Sequence, residues 1–223
     1  MQLDTGNYRV KMDSRWELED LYKFPRAFEQ AYFAYYSLLF FDDDFTNERL
    51  AYAYSSYPWR GGYSAVNFYN QLKYSMPKPQ RPTITSISYA SPGWIDLNLI
   101  QEVAINVGIV VGSVCGSIRL INGTYNSIYK GMQDRKLTQL KIEKEEFSLA
   151  KENFAFLRKA NIEMGGILNF TDIDALNTRT GNELRTLKIL LSIYRRIRTL
   201  AQFRQDGKAR LPESIEEHLG RDQ

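Results

Sequence analysis

The chain has 223 residues, with 29 Lys and Arg, 26 Asp and Glu and one histidine, for a formal charge of +3. That length supports one large domain or two small ones around a core that needs neither disulfides nor structural metal. The sole histidine, His218, removes Ser-His and Cys-His nucleophile pairs and any multi-histidine metal centre.

A single cysteine, Cys115, makes no internal bridge and reads as a buried thiol in a reducing compartment. Residues 1–6 carry neither a basic region nor an apolar run, so no secretory signal or transit peptide is expected and the default location is the cytoplasm. Asn122 and Asn169 match the glycosylation pattern, which means little without such a signal. Charge and aromatics are unevenly spread. Residues 1–100 hold ten basic against eleven acidic side chains, the remainder nineteen against fifteen, while 22 of the 30 aromatics lie before residue 101. The chain divides into an aromatic-rich head over 1–130, a helical hairpin over 131–204 and a polar, loosely held tail over 205–223.

In the head, residues 8–13 alternate apolar and charged side chains with period two and predict a half-buried strand. Ser14 and Glu17 have capping-box spacing, which starts a helix that bends at Pro25 and continues, apolar nearly all round, to Phe41 as the central helix of the head. Asp42, Asp43 and Asp44 then precede a short helix whose positive N-terminal end they favour. With Glu48 they are also the weak candidates for a divalent-metal site, and with Asp96 the first carboxylates to test for acid-base chemistry. Gly61 and Gly62 lack the lysine, spacing and preceding strand of a phosphate loop, and residues 63–74 predict a further amphipathic helix. Residues 78–82, with two prolines, form a connector that cannot be helical. A hairpin follows over 83–99, with Pro92 and Gly93 at the centre of its turn and a cleanly alternating second arm.

The most specific pattern comes next. Ala104, Gly108, Gly112 and Gly116 place a small residue at every fourth position of an apolar segment, which on a helix lines a groove for close approach of a second backbone. Residues 103–118 number sixteen, short of the ~20 that span a bilayer, so the segment predicts a buried helix packed within the fold or between copies.

In the hairpin, Leu140, Phe147 and Phe154 with Ala150, Leu157 and Met164 describe an a/d seam, and Gly165 and Gly166 end that helix. Thr180 and Glu183 offer a second capping box before a long helix with a Leu and Ile stripe. That helix carries Arg185, Lys188, Arg195, Arg196, Arg198 and Arg204 against Glu183 alone. Arg195, Arg196 and Arg198 are the anion-binding candidates, set against a solvated face that balances Glu143, Glu145, Glu146 and Glu152.

The expected fold is therefore α+β and predominantly helical, a small antiparallel sheet with aromatic-rich helices followed by a long-helix hairpin. No cofactor is implied and no catalytic constellation stands out, which points away from an enzyme. The expected function is a protein-binding or self-assembling module, its partner another protein or a second copy. A membrane-acting, toxin-like effector oligomerising through 103–118 and a carboxylate-dependent hydrolase or nuclease are the alternatives, and nucleic acid is disfavoured as a partner because the basic bias is modest.

Overall fold

The computed structural model describes residues 5–38, 44–56, 63–137 and 151–214. The fold is α+β and predominantly helical, 68% helix with a four-stranded antiparallel sheet. In chain order the elements are β1 (Thr5–Met12), α1 (Leu18–Tyr36), α2 (Asp44–Ser56), α3 (Tyr63–Ser75), β2 (Thr83–Ser88), β3 (Gly93–Ile100), α4 (Gln101–Gly116), α5 (Ile118–Asp134), α6 (Lys151–Ile167), α7 (Ile173–Thr180), α8 (Glu183–Gln205) and β4 (Ala209–Arg210).

The sheet runs in the order β2-β3-β1-β4. Along β1 the apolar residues of the period-two pattern, Tyr8, Val10 and Met12, are all buried, and they pair with Leu97, Ile95 and Gly93 of β3. The opposite face was expected to be wet. It is not wholly so: Asp96, opposite Arg9, is only 7% exposed, because Arg9 clamps it from Nε and Nη2 at 2.7 and 2.9 Å and lies over the Trp94 ring at 4.8 Å. Burial of a carboxylate is tolerated here because the charge is matched and hydrogen-bonded.

Helix α1 begins later than the Ser14 spacing predicts. Ser14 sits at φ 58°, and the N-cap is Glu17, whose backbone N–H donates to Asp20 Oδ2 at 2.8 Å. From Phe24 to Tyr36 the helix is buried on nearly every side, as its composition requires, and Pro25 lies within it. The connector at 78–82 contains a short 3-10 turn, Lys78–Gln80, since Pro at its second position lacks only an N–H that such a turn does not use. In the hairpin, Gly93 is already the first residue of β3, so the turn is centred on Ser91 and Pro92 rather than on Pro92 and Gly93.

The centre of the molecule is α8. Fourteen of its 23 residues are buried, and it packs against α1, α4 and α6, with α5, α7 and β4 around it. Asn182, rather than Thr180, caps it, accepting from the N–H groups of Leu184 and Arg185, while Gly181 at φ 71° closes α7, a helix the sequence pattern passes over. Within α6 the buried stripe includes Leu157, Ala160, Asn161 and Met164, and Leu168 just beyond its end continues it; Phe154 is 49% exposed, so the heptad seam does not extend to it. Leu140, Phe147 and Ala150 lie outside the described residues. The stretch read as a loose tail is ordered by the sheet as far as Ser214. β4 pairs with Lys11 and Met12, Ala209 and Leu211 are buried, and Trp16 Nε1 donates to Lys208 O at 2.9 Å.

Candidate functional site

The small-residue face of α4 is occupied, and by this chain. A Cβ built on Gly108 would fall 2.1 Å from the backbone oxygen of Pro212, and one on Gly112 would fall 2.5 Å from Glu213 Oε1. Ala104 is fully buried, and its carbonyl, like that of Pro212, accepts from Tyr8 Oη, at 3.4 and 3.1 Å. Close approach is therefore real at Gly108 and Gly112, its partner being the segment after β4, while Ala104 meets Tyr8 of β1. Gly116 meets nothing within 4 Å. No single helix among the described residues is long and apolar enough to cross a membrane; α4 and α5 pass that test only together and meet at 92°.

The acidic candidates do not form a site that can be described. Asp42 and Asp43 lie outside the described residues, Asp44 opens α2, and Glu48 is exposed. Among the described residues no group of three His, Cys, Asp or Glu side chains could hold a metal ion. Asp96 is committed to Arg9 and to Ser86, whose Oγ donates to Oδ2 at 2.8 Å, and the Arg9 hydrogen bonds hold its carboxyl below the usual range despite burial. A carboxylate so engaged is a structural ion pair.

The basic helix does not present its charges as one solvated face. Arg196 is half-buried, donates from Nε to Gln30 Oε1 at 2.8 Å and lies 4.8 Å over the Tyr69 ring. Arg198 is 5.7 Å over the Tyr125 ring and lines a separate cleft of about 540 Å³ with Lys23, Gln202 and the Asp20–Lys208 ion pair. Arg204 pairs with Glu213. Glu143, Glu145 and Glu146, the expected balancing acids, lie outside the described residues. Lys188 is the surprise: it is 9% exposed and its Nζ has no hydrogen-bond partner, so burial pushes its ammonium down to about 8.

What stands open is the edge of the sheet. β2 is an outer strand exposed along its length, and Ile84 and Ile87 are each 52% exposed. A bulge between Ile84 and Ser86 places Thr85 and Ser86 together against Asp96, so that Ile84 aligns with Leu97 and Ile87 with Ile95. Both isoleucines consequently lie on the helix-covered face of the sheet, yet α1 does not reach over them. Between α1 and this edge runs a groove of about 480 Å³, lined chiefly by Leu21, Tyr22, Pro25, Phe28, Ile84 and Leu97. Leu18, Leu21 and Tyr22 add further exposed apolar surface on α1. The interface residues that the small-residue spacing predicts and this surface are thus different parts of the molecule.

No family model, curated protein or solved structure matches this chain.

Proposed function

We propose that the chain is a non-enzymatic, self-assembling binding module of the cytoplasm whose copies join edge to edge through β2. The observation that carries this reading is the uncovered pair Ile84 and Ile87 on an edge strand that bears no charge from Thr83 to Gly93. An outer strand exposes unpaired N–H and C=O groups that template another strand, and proteins that avoid such pairing place Lys or Pro there. Antiparallel pairing of β2 with its own copy about a two-fold axis sets like residues in symmetric positions, without charge repulsion, and joins two four-stranded sheets into one.

Covering four half-exposed isoleucines contributes roughly 3–6 kcal/mol, from about 1.5–3 for a fully buried side chain. A micromolar dimer needs about 8 kcal/mol. The strand hydrogen bonds and the exposed Leu21 and Tyr22 are available to supply the difference. Sedimentation velocity over a concentration series tests this directly. The parent should form a dimer, and Ile87→Lys should remain monomeric with an unchanged melting temperature, because Ile87 is half exposed. A parent that stays monomeric throughout, or an Ile87→Lys protein that dimerises as well as the parent, refutes it.

A further inference from the structure

Six basic side chains in the structure have an acidic partner. Arg9 pairs with Asp96, Lys73 with Glu29, Arg158 with Asp174 and Glu183, Arg204 with Glu213, Lys208 with Asp20 and Lys23 with Glu19. Three other arginines lie at the seam of α1 and α8. Arg26 and Gln30 stand one turn apart on α1, Arg196 donates to Gln30, and Arg195 is its neighbour in the chain. No carboxylate among the described residues pairs with any of the three, and Glu29 beside them is taken by Lys73 at 2.6 Å.

Two of the three side chains, those of Arg196 and Arg26, are nevertheless held in place. Arg196 is fixed by Gln30 at Nε, by the Ser192 carbonyl at 3.2 Å from Nη1 and by the Tyr69 ring, which leaves Nη2 uncommitted. Arg26 lies 5.4 Å over the Tyr22 ring and donates to the Tyr22 hydroxyl. Burial lowers the proton affinity of Arg196, the Tyr69 ring beside it works the other way, and the positive charges of Arg195 and Arg26 lower it further. Like charges kept together without a counter-charge cost stability, and a bound anion removes that cost.

We infer that Arg26, Arg195 and Arg196 form a binding site for a phosphate-bearing ligand. Three planar guanidinium forks offer more donors and more charge than one carboxylate can match, whereas a phosphate with several acceptor oxygens and up to two negative charges satisfies them. The site adjoins the apolar groove, since Arg26 and Gln30 line both. The phosphate could be carried by a free ligand or by a lipid headgroup. The chemistry of recognition is the same.

Calorimetric titration with inorganic pyrophosphate and co-sedimentation with phosphatidylcholine vesicles, with and without phosphatidic acid, distinguish the two sources. The parent should bind at least one of these phosphate probes. Arg195→Gln, whose side chain makes no hydrogen bond or ion pair in the structure, and Arg26→Gln should each weaken binding by about tenfold or more, the effect of losing one charge-assisted contact. Arg119→Gln, an exposed arginine on α5, serves as the control for general charge and should bind like the parent. Binding of pyrophosphate assigns a free ligand; binding confined to phosphatidic acid vesicles assigns a headgroup. Absence of binding to either, or equal weakening by Arg119→Gln, overturns the inference. Neither result depends on the oligomeric state of the protein, so the β2 interface and this site stand or fall separately.

Discussion

Replacing Lys188 with Met should stabilise the protein, and the gain should shrink as pH rises. The side chain is 9% exposed with no hydrogen-bond partner for its ammonium, and burial lowers its pKa from 10.5 to about 8. A lysine with a depressed folded-state pKa binds its proton more weakly in the folded protein than in the unfolded one. Stability therefore rises with pH through the window between about 8 and 10.5, where the unfolded chain still holds the proton. The shift of about 2.5 units corresponds to a penalty on the order of 3 kcal/mol at pH 7, falling to roughly half at pH 9.5. Met keeps an unbranched side chain of similar length and carries no charge to desolvate. Calorimetric melting should show Lys188→Met raised by about 6–12 °C at pH 7, at about 2–4 °C per kcal/mol for a chain of this size, and by about half as much at pH 9.5. The scan should stop near that pH, because the buried Tyr54 hydroxyl, pushed up to about 12, opposes the trend above pH 10. A destabilised Lys188→Met, or a gain that does not change with pH, would refute the reasoning.

Alanine substitution along α4 should separate the three glycines. Gly108→Ala should cost about 1–3 kcal/mol, because its Cβ would meet the Pro212 backbone oxygen, which moves only with the chain. Gly112→Ala should cost less, since the far end of the Glu213 side chain can give way, and Gly116→Ala should stabilise by up to about 1 kcal/mol through helix propensity. Chemical denaturation checks the order, and equal effects at all three would contradict the close contact. Asp96→Asn should lose about 1–3 kcal/mol at pH 7 by weakening the Arg9 clamp. Because the folded-state pKa of Asp96 lies below 3.8, its stabilisation is present above that value and disappears as pH falls through the lowered one, so parent and variant melting curves should converge in acid.

The pattern of the chain specified elements better than it specified contacts. Period-two alternation located β1 and β3, β-branched residues and turn signals located β2, a long apolar run located α1, and apolar periodicity located α3 and α8, because these are local consequences of which face is buried. The four-residue spacing revealed a close approach, realised at Gly108 and Gly112, but carries no information about which backbone arrives. That depended on β4 pairing with β1, two residues long and without a pattern of its own. The exposed pair on β2 was hidden by the bulge. Ile84 and Ile87 are three apart, so a period-two reading assigns them to opposite faces, and only the doubled position opposite Asp96 brings them to one. The arginine trio was half visible: Arg195 and Arg196 stood out on a basic helix, whereas Arg26 lies some 170 positions earlier on α1 and Arg198 turns away to Tyr125. Lys188 gave no signal, since a lysine on a helix is exposed in most contexts.

The central claim, that copies meet at β2, is tested most directly by cysteine cross-linking along that strand in a Cys115→Ser background. Thr83, Thr85 and Ser88 are changed to Cys one at a time and the proteins oxidised at micromolar concentration. Paired strands bring opposite Cα atoms to about 4.5–5.5 Å, within disulfide reach, only near the two-fold axis. One position should therefore cross-link efficiently and the others poorly, with the Ile87→Lys change abolishing the product. Cross-linking at none of the three positions, or equally at all of them, would contradict the account.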